Sequence, residues 1–514
     1  MSDVPDPDAT VPAAAGDRPL GRSMARGTVA QQGGTVAAII VGLINTTALG
    51  RSLSLAEFGV YGFVVALASY LYFVAGTVET AAINEMAAAT TRDARDAAFT
   101  RSIIVYAGLG AVAAGIIAVG GALLVGVLDI PSSLRGEARA GAVAVGGLTT
   151  LGWIGKVFQD LLRATHRFSA AAASEAIGSI LLCGAVLLTL AVDAPLWCTI
   201  AAGAAIPLYV GVVAIVIVTV TDVGWTLRLR DVHRGDLRRF LVFSGGIFGI
   251  STADLMITSL DRLIVGALRP APTLGLYEGA FRLNLLIRMW AANFSVTLLP
   301  VLTSLRAENQ KQGERDMLLL GTRYVLPAIV GPTVTLMVLS DRVLAVWLGE
   351  RFAEAAPAAV VFLAWWLIAP NLSIAQTMLM VERRLRPIAI YAWLAAIVNL
   401  LLSIALTAWL GLIGVAIGTT VGYLAATPYF VSFAFRGRGI SVGEFARSVW
   451  APAYSAAIVL ALLLLAVRLA VPLDHTWSVG LVCVVAVLGY WGVIYTVALK
   501  PEERLFFRSV ARRS

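Results

Sequence analysis

Charge is scarce in this chain: 14% of its 514 residues are Asp, Glu, Lys or Arg, against 59% apolar. A soluble fold of this length needs more charge to cover its surface, so the soluble enzyme classes are excluded. A mean hydropathy of +0.85 agrees. Cysteine and histidine are scarcer still. Cys183, Cys198, Cys483 and His166, His233, His475 lie far apart, with no C-x-x-C or H-x-x-x-H spacing, which argues against a disulfide framework or a metal centre. A G-x-x-x-x-G-K-[ST] phosphate loop is also missing, so no ATP-driven step is expected.

What the chain has in abundance is apolar runs. Stretches free of charge cover 27–50, 58–78, 102–128, 140–155, 194–221, 289–305, 324–340, 355–381, 387–435, 448–467 and 475–499. A helix needs about 20 apolar residues to cross the hydrocarbon, so each run reads as one span and 387–435 as two. Trp409-Leu410-Gly411 is the expected turn within that long run. Two shorter runs around Glu175 and Asp254 read as spans carrying an ionisable residue, giving about fourteen transmembrane helices in an all-α polytopic membrane protein.

The formal charge of +8 comes from 39 Lys and Arg against 31 Asp and Glu. These basic residues fall in clusters between the runs, a topology signal rather than a nucleic-acid patch. With the amino terminus inside, 29 of the 39 lie in inside segments and only 8 in outside loops, leaving Arg282 and Arg288 within a span. Both termini are then expected inside. Residues 1–26 are rich in Asp, Pro and Ala and read as a disordered cytoplasmic tail rather than a signal peptide. The outside loops are short, which excludes an extracytoplasmic catalytic domain and favours a transporter over an enzyme.

The chain also repeats itself. Gly50-x8-Gly59-x-Tyr61 follows the first span, and Gly266-x8-Gly275-x-Tyr277 follows the seventh, at an offset of 216. Gln159-x2-Leu162-x4-Arg167 and Gln376-x2-Leu379-x4-Arg384 end spans four and ten at an offset of 217. Six spans per copy is an even number, so the repeats run parallel, related by a pseudo-twofold axis along the membrane normal. The expected layout is an N-lobe over 27–221, a basic linker over 222–240, a C-lobe over 241–435, two further helices over 436–499 and a basic tail over 500–514. Two six-helix lobes would thus flank a central cavity. In the linker, Trp225, Leu229 and Val232 have the spacing of a helix face on a membrane surface, although a plain positive-inside anchor is the simpler reading.

The run Asp261-Arg262-Leu263-Ile264-Val265-Gly266, with Gly275-Leu276-Tyr277, Phe281-Arg282-Leu283 and Leu299-Pro300, resembles the polysaccharide-export (Wzx-type) branch of the multidrug/oligosaccharidyl-lipid/polysaccharide (MOP) flippase superfamily. Leu49-Gly50-Arg51, Phe58-Gly59-x-Tyr61 and Trp347-Leu348-Gly349 fit the same pattern. The resemblance covers about residues 28–435. It implies a flippase of the bacterial cytoplasmic membrane that moves an undecaprenyl-diphosphate-linked oligosaccharide from the inner to the outer leaflet. Its partners would be that lipid-linked glycan, membrane lipids, and envelope polysaccharide polymerases and glycosyltransferases, with no cofactor. Lipid II flippases of the superfamily also have 14 spans, and its drug antiporters keep the same fold, so both stand as alternatives.

Charges within spans are the candidate site, because each costs about 2.5–3.5 kcal/mol at a helix centre. Arg288, Arg282 and Arg51 are the candidate diphosphate ligands, since guanidinium matches phosphate oxygens and keeps its charge. Asn45 and Asn293 are candidate glycan contacts; Asn45 holds the repeat position equivalent to Asp261. Asp254, Asp261 and Glu278 are the candidate ion-coupling carboxylates. The competing reading is that Asp254–Arg288 and Glu278–Arg282 are neutralising pairs, the second set by its four-residue spacing. Glu175 is expected to pair with Arg163 or Arg167, and Lys156 with Asp160.

Overall fold

In a computed structural model of the protein, the described residues are 39–231, 260–307, 315, 317–382, 384–435 and 441–498. Asp254, both expected tails and the linker from 232 onward lie outside them. Among the described residues the chain is helical, without a strand. Eight helices are long and apolar enough to cross a membrane, or ten when two bent pairs each count as one span. They include α3 (Arg92–Val127), α4 (Ser132–Ala164), α5 (Phe168–Ala191), α9 (Leu318–Val338), α13 (Leu385–Leu410), α14 (Leu412–Phe433), α15 (Gly443–Ala470) and α16 (Thr476–Thr496). The bent pairs are α6 (Leu196–Ala204 and Ile206–Val220) and the segment Glu350–Leu367 with Pro370–Met380, each kinked by 51°. Helices α1 (39–52), α2 (Leu55–Ala88) and α8 (Ala271–Ala307) run where spans one, two and eight are expected, and α7 (260–268) meets only the end of the span expected around Asp254, the rest of which lies outside the described residues. Short α10 (Ser340–Leu348) follows α9.

Local chemistry sets the helix ends. Ser54 and Glu57 form a reciprocal capping box at the start of α2: Ser54 N donates to Glu57 Oε2 at 2.8 Å, and Glu57 N to Ser54 Oγ at 3.2 Å. Thr91 caps α3 by accepting from Ala94 N. Helix α13 stops at Gly411, whose φ of 61° suits a residue without a β-carbon, and the chain turns there into α14 as the Trp409-Leu410-Gly411 motif predicts. Pro207 and Pro370 open the second halves of the two bent pairs, where a missing N–H does no harm.

The described chain forms two compact units. The first comprises residues 39–45, 71–118 and 143–231, the second 46–70, 119–142 and everything described from 260 onward. The core of the first gathers Phe99, Tyr106, Trp153 and Leu161 from α3 and α4 with Val218 of α6. Close approach follows small residues, as it must where lipid is as apolar as leucine: a β-carbon added at Gly155 would lie 2.8 Å from Gly211 Cα. The second unit packs α15 and α16 on α9 through Leu326, Val330, Leu460 and Tyr490.

The stretch 221–231 departs from the expected surface helix. Only Leu229–Asp231 makes a single 3-10 turn, and Trp225 packs inward against Phe99 and Phe158, ring centroids 5.4 and 5.1 Å away. The polar groups of α3 explain this. Arg95 donates to Gly224 O at 3.0 Å, Thr226 to Asp96 Oδ2 at 2.6 Å, and Arg228 N to Thr100 Oγ1 at 2.9 Å, so the backbone here is satisfied without helix.

Candidate functional site

The second unit brings the two repeat motifs into contact. A β-carbon at Gly59 would lie 2.7 Å from Gly275 N, and one at Gly275 would overlap the Leu55 carbonyl oxygen. Around them each repeat reaches for the other's backbone. Arg351 donates to Gly50 O at 2.6 Å and also to Leu53 O; Arg51 donates to Val346 O; Asp129 N donates to Gly266 O at 3.2 Å, and Ala271 N to Asp129 O at 3.1 Å. Arg51, expected as a phosphate ligand, is thus tied to α10, and with Arg351 and Asp474 it lines an open cavity of about 550 Å³.

Beside this contact sits a buried ion pair that the sequence spacing assigns wrongly. Glu278, only 1% exposed, pairs with Arg262 at 2.5 Å, not with Arg282 four residues along. Arg262 also lies over the Phe281 and Tyr277 rings, 4.8 and 5.7 Å from their centroids, so its charge is matched by both a carboxylate and two π faces. Gly62 makes the room: a β-carbon there would lie 2.6 Å from the Glu278 carboxyl carbon. Arg282 consequently forms no ion pair among the described residues, and its buried Nε has no hydrogen-bond partner. Arg288 stands half-buried on α8. Asn293 lies on α8, its side chain outside the described residues. The Asp254–Arg288 pair falls outside them with Asp254. Trp366 donates to Asn284 at 2.7 Å and Trp365 stacks on Tyr423 at 4.7 Å, so both rings are engaged in packing.

A third cluster surrounds Asp261, fully buried at 0% exposure. Thr419 Oγ1 donates to Asp261 Oδ2 at 2.6 Å; Asn399 Nδ2 donates to Thr419 Oγ1 at 2.9 Å and to Ser403 Oγ at 3.3 Å. The second oxygen of Asp261 and the amide oxygen of Asn399 are both buried without a hydrogen-bond partner. A carboxylate, an amide and two hydroxyls form the hard-oxygen donor set that an alkali cation prefers. Asn45 of the first unit, its repeat counterpart, is buried too, with its own Oδ1 unpartnered.

Asn399, Ser403 and Thr419 carry no charge to set them apart within their apolar runs, yet two sequence signals mark them. Asn399, Ser403 and Thr407 form a polar stripe at four-residue spacing on otherwise apolar α13. Gly414, Gly418 and Gly422 form the matching small-residue stripe on α14, and a β-carbon at Gly418 would lie 2.7 Å from Ser403 N. Gly418→Ala is expected to push the helices apart and lower stability by about 1–3 kcal/mol, as overpacking does; thermal unfolding in detergent measures it.

Among the described residues, helices bent in pairs, many apolar spans, and buried charges gathered at helix contacts mark a multi-pass membrane protein, and solved structures share its fold. The lipid II flippase MurJ in an inward closed conformation is 14% identical, with 91% of this chain and 99% of that chain covered at a TM-score of 0.70. A multidrug resistance MATE family transporter of the MOP superfamily, inward-facing, is 15% identical over 79% of this chain and 97% of that one, at a TM-score of 0.65. A MOP superfamily transporter from Pyrococcus furiosus is 15% identical over 80% and 95%, at 0.55. The family model described as polysaccharide biosynthesis protein matches residues 48–357, and the chain belongs to that family. No curated protein matches it.

Proposed function

We propose that this chain flips an undecaprenyl-diphosphate-linked oligosaccharide from the inner to the outer leaflet of the cytoplasmic membrane by alternating access, both termini inside. The observation that carries this reading is Arg282, a half-buried guanidinium on α8 that forms no ion pair among the described residues because Arg262 has taken Glu278. An unmatched cation in a span calls for an anionic partner, and a diphosphate offers the oxygens that guanidinium binds best. Membership of the polysaccharide biosynthesis family supports a glycan cargo. The physics needs no nucleotide: about two negative charges moving outward across about 100 mV, inside negative, gain roughly 4–5 kcal/mol.

In this mechanism Arg282, with Arg288, draws the diphosphate inward and holds it while the lobes rock; the lipid tail stays in the bilayer. Asp261, with Asn399, Ser403 and Thr419, takes a coupling cation whose entry satisfies the two unpartnered oxygens. Translocation of a fluorescent undecaprenyl-diphosphate oligosaccharide in proteoliposomes under an imposed potential tests the reading. Arg282→Ala is expected to slow it about 10- to 100-fold, the loss of one charge-assisted contact; an unchanged rate overturns the assignment of Arg282. Asp261→Asn is expected to remove any sodium dependence, and a dependence that survives it rules out coupling at this site. Lipid II as a second cargo decides whether the MurJ-like fold extends to a shared substrate.

A further inference from the structure

The first unit holds a buried charge cluster that the flipping mechanism leaves unused. Four helices meet in it: α2 supplies Glu79, α3 Tyr106, α4 Lys156, Gln159, Asp160 and Arg163, and α5 Glu175. Lys156 lies 2.9 Å from Glu79 and 3.7 Å from Asp160; Arg163 bridges Glu79 and Glu175, the latter at 2.5 Å. Gln159 donates to Glu175 at 2.9 Å, and Tyr106 OH donates to Asp160 Oδ2 at 2.8 Å. Arg163 thus meets its expected partner Glu175, while Lys156 sits closer to Glu79 than to Asp160.

Three carboxylates face two cations, so with every group ionised one negative charge is in excess. The pairing decides where it resides. Arg163 is shared by Glu79 and Glu175, and Lys156 is closest to Glu79, so Asp160 is the carboxylate left with only a long contact. Asp160 is also the most buried, at 0% exposure, and its Oδ1 has no hydrogen-bond partner. Desolvation is harshest there, because a buried charge needs both a close counter-ion and full hydrogen bonding. A metal cation does not fit. Lys156 and Arg163 already occupy the centre, and among the described residues no three His, Cys, Asp or Glu side chains are placed to hold a metal.

We propose that Asp160 Oδ1 is a proton-binding site, a second ionic input in the first unit distinct from the cation set around Asp261. Bound proton converts the carboxylate to a neutral acid and leaves Lys156 to Glu79; its release restores the excess charge and draws Lys156 toward Asp160. Exposure falls along the chain of groups, from Glu175 at 43% through Arg163 and Glu79, both 22%, to Asp160 at 0%. That gradient gives the proton a polar route to Asp160. Asp160 itself meets Tyr106 of α3 and Lys156 of α4; Glu79 of α2, Arg163 of α4 and Glu175 of α5 complete the cluster through Lys156 and one another, and α6, which packs Gly211 on Gly155, has no charged residue. Nearer the α2–α3 turn, Arg101 and Glu85 neutralise each other at 3.1 Å.

Infrared difference spectra of the full-length protein in lipid, recorded across a pH series without substrate, test this independently of any transported cargo. The wild type is expected to show a protonated-carboxyl band that disappears as pH rises, and Asp160→Asn to lack it while Asp261→Asn retains it. A band that survives in folded Asp160→Asn overturns the proposal. If Asp160→Asn does not fold, Tyr106→Phe supplies the test instead. Tyr106 donates to the ionised carboxylate, so its loss should raise the midpoint of the band by about one to two pH units. An unmoved midpoint overturns the proposal as well.

Discussion

Gly275→Ala is expected to destabilise the folded protein by about 3 kcal/mol or more, the upper end of overpacking effects. Its added β-carbon would overlap a backbone oxygen, that of Leu55, and a backbone cannot swing aside as a side chain can. The strain would spread to the adjoining tethers, Ala271 N to Asp129 O and Arg351 to Gly50 O. Gly108→Ala is the matched control: it lies inside α3 with nothing within 4 Å of its added carbon. Alanine exceeds glycine in helix preference by up to about 1 kcal/mol, so that variant should hold or gain stability. Thermal unfolding of both in detergent separates a contact effect from a propensity effect. Equal melting temperatures for the two variants would contradict the close approach.

The second large effect concerns Arg262 and Glu278. Glu278→Gln takes from the half-buried Arg262 the carboxylate it holds at 2.5 Å beside aromatic rings, and breaking such a pair from one side costs about 3–5 kcal/mol. Arg262→Met should be comparably harmful, since it strands Glu278 at 1% exposure. Made together, the two changes remove both charges and place a thioether over the Phe281 face, which suits it. The double variant is expected to recover most of the lost stability. A double-mutant cycle on melting temperature reads the coupling, and additive losses would show that the pair is not a unit.

These two sites show what was legible in the sequence. Span positions, the α13–α14 turn at Gly411 and the repeat motifs are local patterns, set by apolar run length and by glycine spacing, and they can be read one segment at a time. Pairing among buried charges cannot. Arg282 is one helical turn from Glu278 and looks like its partner, but Arg262, on the preceding helix α7, holds the carboxylate, which sits in the space left by Gly62. Lys156 likewise lies one turn from Asp160, yet Glu79, far away in sequence, holds it more closely. Trp225 shows the same limit. Its spacing with Leu229 fits a surface helix, whereas the hydrogen-bonding groups of α3 hold that stretch out of helix and turn the ring inward. The Asp261 cluster was half visible: its carboxylate stood out as a charge in a span, but its amide and hydroxyl partners are ordinary residues until the α13 and α14 stripes are read together.

Contact between Gly59 and Gly275 has an evolutionary consequence. In the repeat read from the sequence they are equivalent positions, 216 residues apart. In a half-length ancestor assembling as a symmetric pair, the single glycine would have met its own image, since a twofold interface presents one patch to itself. Any side chain acquired there would have appeared twice at one point. On that reading, fusion of the copies would have freed each position to change alone, and yet both are glycine. Halves cut within 232–259 and expressed together should therefore reassemble, and Gly275→Ala in one half should prevent it; halves that pair equally well with that change would remove the ancestry argument.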